Sequence, residues 1–322
     1  MNRQSRRRTF VWVGMLLLSF LAVPVVWTQD YPTKPVTMYY GSSPGGSHDL
    51  TFRAVTSVAV DYLGQPIVIQ GKVGSGGVIA TEFVAKAVPD GYTLLVGGPG
   101  WNTTLPAIEG RSKGPDDMAA VCRINYSPTI IVARAELPFK TFKEMVEYAK
   151  ANPNKLIFGT TGPWGQADLS WKQIMKKADI KTKSIPQAGG GAALVAMLGG
   201  HIDLTGGLAP VLLPHIRAGK FRALVILDSK RSPELPEVPT GKEAGVDVVN
   251  HLWRGVVAPK GTPRPIIDKL AVAFKKMTED KSVISMIRQF GDDIQYLGPD
   301  EFAKFWQEEY KEHKELGKIL KQ

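Results

Sequence analysis

Apolar residues recur along this chain with two alternating periods, from Val36 almost to the C-terminus. Val36–Tyr40 alternates from side to side and predicts a strand. Leu50, Ala54, Val55, Val58, Ala59, Tyr62 and Leu63 fall every three or four residues, a helical stripe that Gly64 closes. Residues 67–70 and Thr93–Gly97 predict strands, with a helix between them over 79–88. Further strands are predicted over 156–158, 182–185, 202–204 and 223–227, with helices separating them. Thr141 and Glu144 form a capping-box pattern that opens a helix ending near Asn152-Pro153. Thr262-Pro263 caps another, with proline at its first position, and an amphipathic helix fills 300–320. This alternation predicts α/β sheets with helices on both faces.

The first 28 residues break the pattern. Residues 1–8 carry four arginines and no acid, and residues 10–27 form an uncharged run rich in Leu, Val, Phe and Trp. That is the layout of an export signal, with cleavage expected near Thr28 and a periplasmic destination. The apolar run is about 18 residues, the lower limit for spanning a bilayer, so an uncleaved anchor is the alternative. Arg7-Arg8 also fits a twin-arginine leader, so the sequence leaves the export route open. Without the four leader arginines, 40 basic residues become 36 against 30 acidic ones, a net charge of +6. The acids and lysines of 308–321 interleave as a solvated helix face, not as a nucleic-acid stripe. Cys122 is the single cysteine, which excludes an internal disulfide and any CxxC metal site.

Three glycine-rich turns stand where a strand feeds a helix: Gly41-Ser42-Ser43-Pro44-Gly45-Gly46-Ser47, Gly159-Thr160-Thr161-Gly162-Pro163-Trp164-Gly165 and Gly189-Gly190-Gly191. Such turns let backbone approach a ligand and aim the amides of a helix start at an anion. None matches a nucleotide-binding pattern, and Gly74-Ser75-Gly76-Gly77 lacks the third glycine of a dinucleotide fingerprint. The five histidines show no metal-ligand spacing, and no GxSxG nucleophile elbow is present. No catalytic residue, metal or cofactor is expected.

A longer series of short motifs carries a resemblance. It begins with Tyr31-Pro32-x-Lys34-Pro35 and Pro44-Gly45-Gly46-x-x-Asp49 with Arg53, then Leu63-Gly64-Gln65-Pro66 and Pro89-Asp90-Gly91-Tyr92-Thr93. Leu198-Gly199-Gly200-His201-Ile202-Asp203, Leu213-Pro214-His215-Ile216-Arg217-Ala218-Gly219-Lys220 and Ala258-Pro259-x-Gly261-Thr262-Pro263 follow. In this order the chain resembles the extracytoplasmic solute receptors of tripartite tricarboxylate transporters, the Bug receptors. The resemblance implies a two-lobed fold of the periplasmic-binding (Venus flytrap) type with two chain crossovers. It places lobe one at 29–126 plus 229–322 and lobe two at 127–228. It also implies capture of a small carboxylate, a dicarboxylate or an aromatic acid, for delivery to large and small membrane subunits. A ligand-gated sensor subunit is the alternative, and a periplasmic enzyme a more distant one.

On this reading Ser43, Pro44, Gly45, Gly46 and Ser47 grip the carboxylate from lobe one. Thr160, Thr161 and Gly162 grip it from lobe two, and Gly189, Gly190 and Gly191 complete the cradle. Asp49 either steadies the first helix through Arg53 or shares in the site. His48 occupies a spot that resembles a small-residue position of the family and either donates to ligand or faces solvent. Arg254, in Trp253-Arg254-Gly255, is either a clamp for a second carboxylate or a surface arginine over the tryptophan. Trp101 and Trp164 are expected as apolar cleft walls or as core. Gly206-Gly207 stands where the resemblance places a bulkier pair, which would enlarge the pocket.

Overall fold

The computed structural model describes residues 31–321, so the export segment lies outside the described residues. Ten strands form two five-stranded sheets. In the first, β1 (Val36–Tyr40), β2 (Ile67–Gly71) and β3 (Thr93–Gly97) run parallel in the order β2-β1-β3, followed by an antiparallel strand from much later in the chain and by β4 (Met118–Pro128). The second sheet opens with β5 (Ile130–Arg134). It then takes β6 (Ile157–Thr160), β7 (Lys183–Pro186), β8 (Leu204–Gly207) and β9 (Phe221–Ile226), ordered β7-β6-β8-β5-β9. The late strand of the first sheet is β10 (His251–Pro259), antiparallel to β3 and β4. Each sheet therefore repeats one plan: three parallel strands, one antiparallel strand arriving from the other sheet's side of the chain, and an edge strand.

Helices cover both sheets, as the alternation predicts. Beside the first lie α1 (Ser47–Thr56), α2 (Ala59–Leu63), α3 (Val78–Ala85) and α4 (Leu105–Glu109). The second carries α5 (Phe142–Ala151), α6 (Gln166–Ala178), α7 (Gly190–Leu198) and α8 (Ala209–Arg217). The chain ends with α9 (Arg264–Glu279), α10 (Lys281–Gln289) and α11 (Pro299–Leu320). The stripe expected as one helix over 50–63 is two, because the chain turns at Ser57-Val58. Thr141 caps α5 as predicted, accepting from the Glu144 amide at 3.2 Å, but the Glu144 carboxylate accepts from the Lys140 amide rather than from that of Thr141. At α9 the cap is Pro263, with Pro265 in the first turn. Thr262 instead turns its hydroxyl back to the Pro259 carbonyl.

The cores follow the sheets. Leu95, Trp253, Val257, Phe302 and Trp306 pack under the first sheet. Phe158, Trp171 and Leu204 fill one face of the second, and Ile130, Met197 and Leu212 the other. The segment between β9 and β10 belongs with the second sheet: Leu235, Val238, Val246 and Val248 are buried in its clusters, and the Gly241 amide bonds the Ile226 carbonyl. We therefore place the return crossing at Asn250 rather than at Ser229. The outward crossing is Thr129, and the two lie side by side: the Thr129 amide donates to the Asn250 carbonyl at 3.0 Å and its hydroxyl to Asn250 Oδ1 at 3.0 Å.

Candidate functional site

Two of the glycine-rich turns share one construction. After β1, Gly45 adopts φ +72° and donates its amide to Asp49 Oδ2 at 3.0 Å, while Asp49 Oδ1 accepts Arg53 Nε at 2.7 Å. After β6, Trp164 adopts φ +56° and donates its amide to Asp168 Oδ2 at 2.8 Å, and the same oxygen takes Lys172 Nζ at 2.6 Å. In each, a glycine in extended backbone, Gly46 or Gly165, precedes the helix. The buried aspartate ties the turn to the helix start and complements its dipole. Asp49 thus pairs with Arg53, the steadying role. The third turn, before α7, has no acid in its first helical turn.

The turns before α1 and α7 meet directly. The Ser43 amide donates to the Ala188 carbonyl at 3.0 Å, and Ser43 Oγ accepts the Ala192 amide at 3.2 Å. A Cβ on Gly191 would come within 2.7 Å of the Pro44 carbonyl oxygen, so only glycine allows this approach. Three of the expected anion donors are thereby engaged inside the protein: Ser43 with Ala188, Gly45 with Asp49, and Gly46 with the Ser43 carbonyl at 3.2 Å. The amides left for a ligand are those of Ser47 and His48 at the start of α1 and of Gly189 and Gly190 at the start of α7, where a helix has no internal acceptors.

A cavity of about 240 Å³ lies between the two sheets, with the starts of α1, α6, α7 and α8 on its wall. Gly46, Ser47, His48, Trp101, Thr161, Gly162, Gly189 and Gly190 line it. Ser43, Pro44, Gly45, Asp49, Thr160, Trp164, Gly191 and Arg254 do not; they hold the turns, the lobes or the sheet from behind. Gly206 and Gly207 are on the wall, as the enlarged-pocket expectation requires. Residues that sequence reasoning missed include Ser42, Ser75, Gln166, Gln187 and Thr205. Gln166 was findable, since it occupies in α6 the place of Ser47 in α1. Its Nε2 donates to Thr129 Oγ1 at 2.9 Å and to Asn250 Oδ1, linking the wall to both crossings. No Asp, Glu, Lys or Arg is among the residues lining this cavity.

His48 and Trp101 form one corner. Their ring centroids are 4.8 Å apart, and both residues are over nine-tenths buried. The indole fits because Gly77 and Gly98 lack side chains: a Cβ would approach it to 2.6 Å and 3.1 Å, and one on Gly98 would meet His48 Nε2 at 2.7 Å. Burial, and secondarily the charge of Arg254, hold the imidazole well below its ordinary pKa, so it is neutral at physiological pH. His48 Nε2, Trp101 Nε1 and Ser42 Oγ are buried on this wall without a partner. Ser42 lies between two helix starts: its Oγ is 3.8 Å from a Cβ built on Gly46, and its Cβ 3.1 Å from one built on Gly189.

Arg254 is not the surface arginine of its second expectation, and its Nε and Nη2 are buried without a partner. It is fully buried, with Nη1 on Asp292 at 2.9 Å and on Ser127 Oγ at 3.2 Å. Asp292 in turn accepts Asn125 Nδ2 and Ser127 Oγ. Strand alternation sends Trp253 into the core with Phe302 and Trp306 and turns Arg254 to the opposite face of β10. Trp164 takes the second of its two expected places, the core. It is buried with Leu105 and Leu169 against Val78, Ile108, Leu316 and Leu320, and its Nε1 donates to Glu109 Oε1 at 2.5 Å. That contact joins the two lobes, since Glu109 and α11 belong with the first sheet.

Comparison with known proteins places this geometry. Residues 51–321 match the model of a family described as "Tripartite tricarboxylate transporter family receptor". The chain is similar to protein BugT of Bordetella pertussis, 31% identical over 306 residues, covering 92% of this chain and 93% of BugT. Among solved structures it is similar to MatC from Rhodopseudomonas palustris with bound malate, at 30% identity and TM-score 0.84, covering 89% of this chain and all of that one. It is similar also to the periplasmic binding protein BugD, at 28% identity and TM-score 0.86, covering 90% and 98%. Among the described residues no helix is long and apolar enough to cross a membrane.

Proposed function

The chain belongs to the tripartite tricarboxylate transporter receptor family, and from that premise we propose that it captures a small carboxylate between its lobes. The captured acid is handed unchanged to the large and small membrane subunits of a transporter of this type. Solute binding is the business of the family, and the bound malate of MatC is itself a carboxylate. The leader is removed near Thr28, leaving the receptor in the periplasm.

The observation that carries this reading is the unpartnered Ser42 hydroxyl, set between the starts of α1 and α7 on the wall of the interlobe cavity. A carboxylate there accepts from Ser42 Oγ, from the amides of Ser47 and His48, and from those of Gly189 and Gly190. Thr161 and Gly162 face it across the cavity. Each charge-assisted bond contributes about 1.5–3 kcal/mol net. Donors from both lobes are present together only when the lobes are closed, so the acid favours closure. The test is a thermal-melt panel of mono-, di- and tricarboxylates, aromatic acids and acidic amino acids. A binder at 100 times its Kd adds roughly 2.7 kcal/mol; a panel without a single shift sinks the proposal.

A further inference from the structure

The His48–Trp101 corner hangs on a turn that is held from behind the cavity wall. Trp101 sits in Gly100–Thr104, a single π-helical turn whose five residues are all buried. Such turns are rare, and one persists only where neighbouring structure fixes it. Here the neighbour is α11, which meets the turn with one face. Trp306 Nε1 donates to the Asn102 carbonyl at 3.1 Å, and Thr103 Oγ1 donates to Glu309 Oε2 at 2.7 Å. Thr104 Oγ1 shares a hydrogen bond with His313 Nδ1 at 3.0 Å. Residues 306, 309 and 313 therefore grip 102, 103 and 104 in succession.

Glu309 differs from its two companions in this row. Burial pushes His313 down to about 4, so its imidazole is neutral, as is the Trp306 indole. Burial pushes the Glu309 carboxyl up to about 7, more than its two hydrogen bonds and the charge of Arg123 offset. Arg123 itself lies over the rings of Tyr126 and Phe305. An acid is thus kept, at a desolvation cost, on neutral donors. Both donors belong to elements that bear the cavity wall. The second is Trp253 Nε1, at 2.6 Å on the same oxygen and next to the wall residue Leu252. We propose that Glu309, which does not line the cavity, is the positioning residue of this corner: it pins the π turn to β10 and so fixes where the unpartnered Trp101 N–H meets the cargo. The proposal rests on the carboxylate reading of the same cavity and extends it to a residue behind the wall.

The test is a double-mutant cycle on the full mature protein, read by calorimetry at pH 7.5. The probe is the tightest binder among pentanoate, succinate, citrate, benzoate and glutamate. Trp101→Phe keeps a ring, removes the N–H and should weaken binding about tenfold. Glu309→Leu removes the acceptor and should weaken it by a similar factor. Glu309→Gln keeps an acceptor oxygen and should stay within about threefold of wild type. In the Trp101→Phe background, Glu309→Leu should weaken binding by less than about threefold more, because the N–H it aims is gone. Thr103→Val cuts only the turn's bond to Glu309 and should repeat both results, whatever the yield of folded Glu309→Leu. If Glu309→Leu instead adds its full factor to Trp101→Phe, Glu309 is a packing residue and the proposal is overturned. Wild-type affinity in Trp101→Phe, or in both Glu309→Leu and Thr103→Val, overturns it too while leaving carboxylate capture intact. If none of the five acids binds, the carboxylate reading falls and takes the inference with it.

Discussion

The turns before α1 and α6 are two copies of one device: Pro44-Gly45-Gly46-Ser47-His48-Asp49-Leu50-Thr51-Phe52-Arg53 and Pro163-Trp164-Gly165-Gln166-Ala167-Asp168-Leu169-Ser170-Trp171-Lys172. Each follows the central parallel strand of its sheet. Each sets a residue at positive φ, hands its amide to an aspartate four positions on, and backs that acid with a cation four further. The frame is shared, and the differences are where the lobes acquire separate jobs. Where the first copy has Gly45, the second has Trp164, which reaches the other lobe. His48 stands against Ala167, so only the first copy presents an imidazole to the cavity. Ser47 stands against Gln166, so only the second reaches the crossings.

Making the second copy like the first at its tryptophan should have the largest effect. Trp164→Gly removes a non-glycine residue from the left-handed region, a relief of about 1 kcal/mol, but deletes an indole buried between the lobes, a loss of about 3–5 kcal/mol in a packed site. Because that packing spans the lobes, the net loss of roughly 2–4 kcal/mol should appear as carboxylate affinity weaker by at least about 30-fold by calorimetry. Unchanged affinity would mean the interlobe cluster takes no part in capture.

Next come the aspartates. Asp49→Ala and Asp168→Ala each leave a turn amide and a cation without their acceptor, and each should lower the unfolding free energy by about 1–3 kcal/mol in urea titrations. Similar losses are expected from the two variants, because the geometry is the same. If only one of them destabilises, the copies are not mechanically equivalent.

Gln166→Ser gives the second copy the residue of the first and removes the side-chain bonds to Thr129 and Asn250. A loss of about 0.5–1.5 kcal/mol per net hydrogen bond follows, read as weaker binding with increased amide exchange around Asn250. Normal exchange there would separate the wall from the crossings.

The smallest effect is a slope. His48 is neutral in the folded state, with its pKa depressed by burial first and by Arg254 second. Unfolding lets it take up a proton below its ordinary pKa of about 6.5, so its contribution is intact above that pH and is lost as pH falls. His48→Ala, the residue of the second copy, should flatten the fall of unfolding free energy between pH 6.5 and 5 by up to about 1.4 kcal/mol per pH unit. An unaltered slope would mean His48 is solvated and charged.

Much of this architecture was legible. Period-two and helical stripes located β1, β2 and β3 and, in the second sheet, β6, β7, β8 and β9, and the glycine turns were recognised as helix starts. The strands β4, β5 and β10 were not read as such, because they are nearly continuous apolar runs whose partners lie far away in sequence; Val256, for example, pairs with Val96 and Cys122. That distance also hid Arg254, since its face depends on which neighbours β10 acquires and on the register shift beside it. Glycine content alone drew Ser43, Gly45 and Gly46 into the site. Which of their amides stay free depends on Asp49 and on the meeting with Ala188, a contact across 145 residues of chain. The kinship of the two turns was present in Pro-x-Gly-x-x-Asp all along, but it becomes visible only when the second glycine turn is aligned on its aspartate.

A crystal structure of the mature protein with the tightest-binding acid of the thermal-melt panel tests the account most directly. The carboxylate oxygens are predicted within about 3 Å of Ser42 Oγ and of first-turn amides from both α1 and α7. A carboxylate paired instead with a lysine or arginine, or bound by one lobe alone, would contradict it.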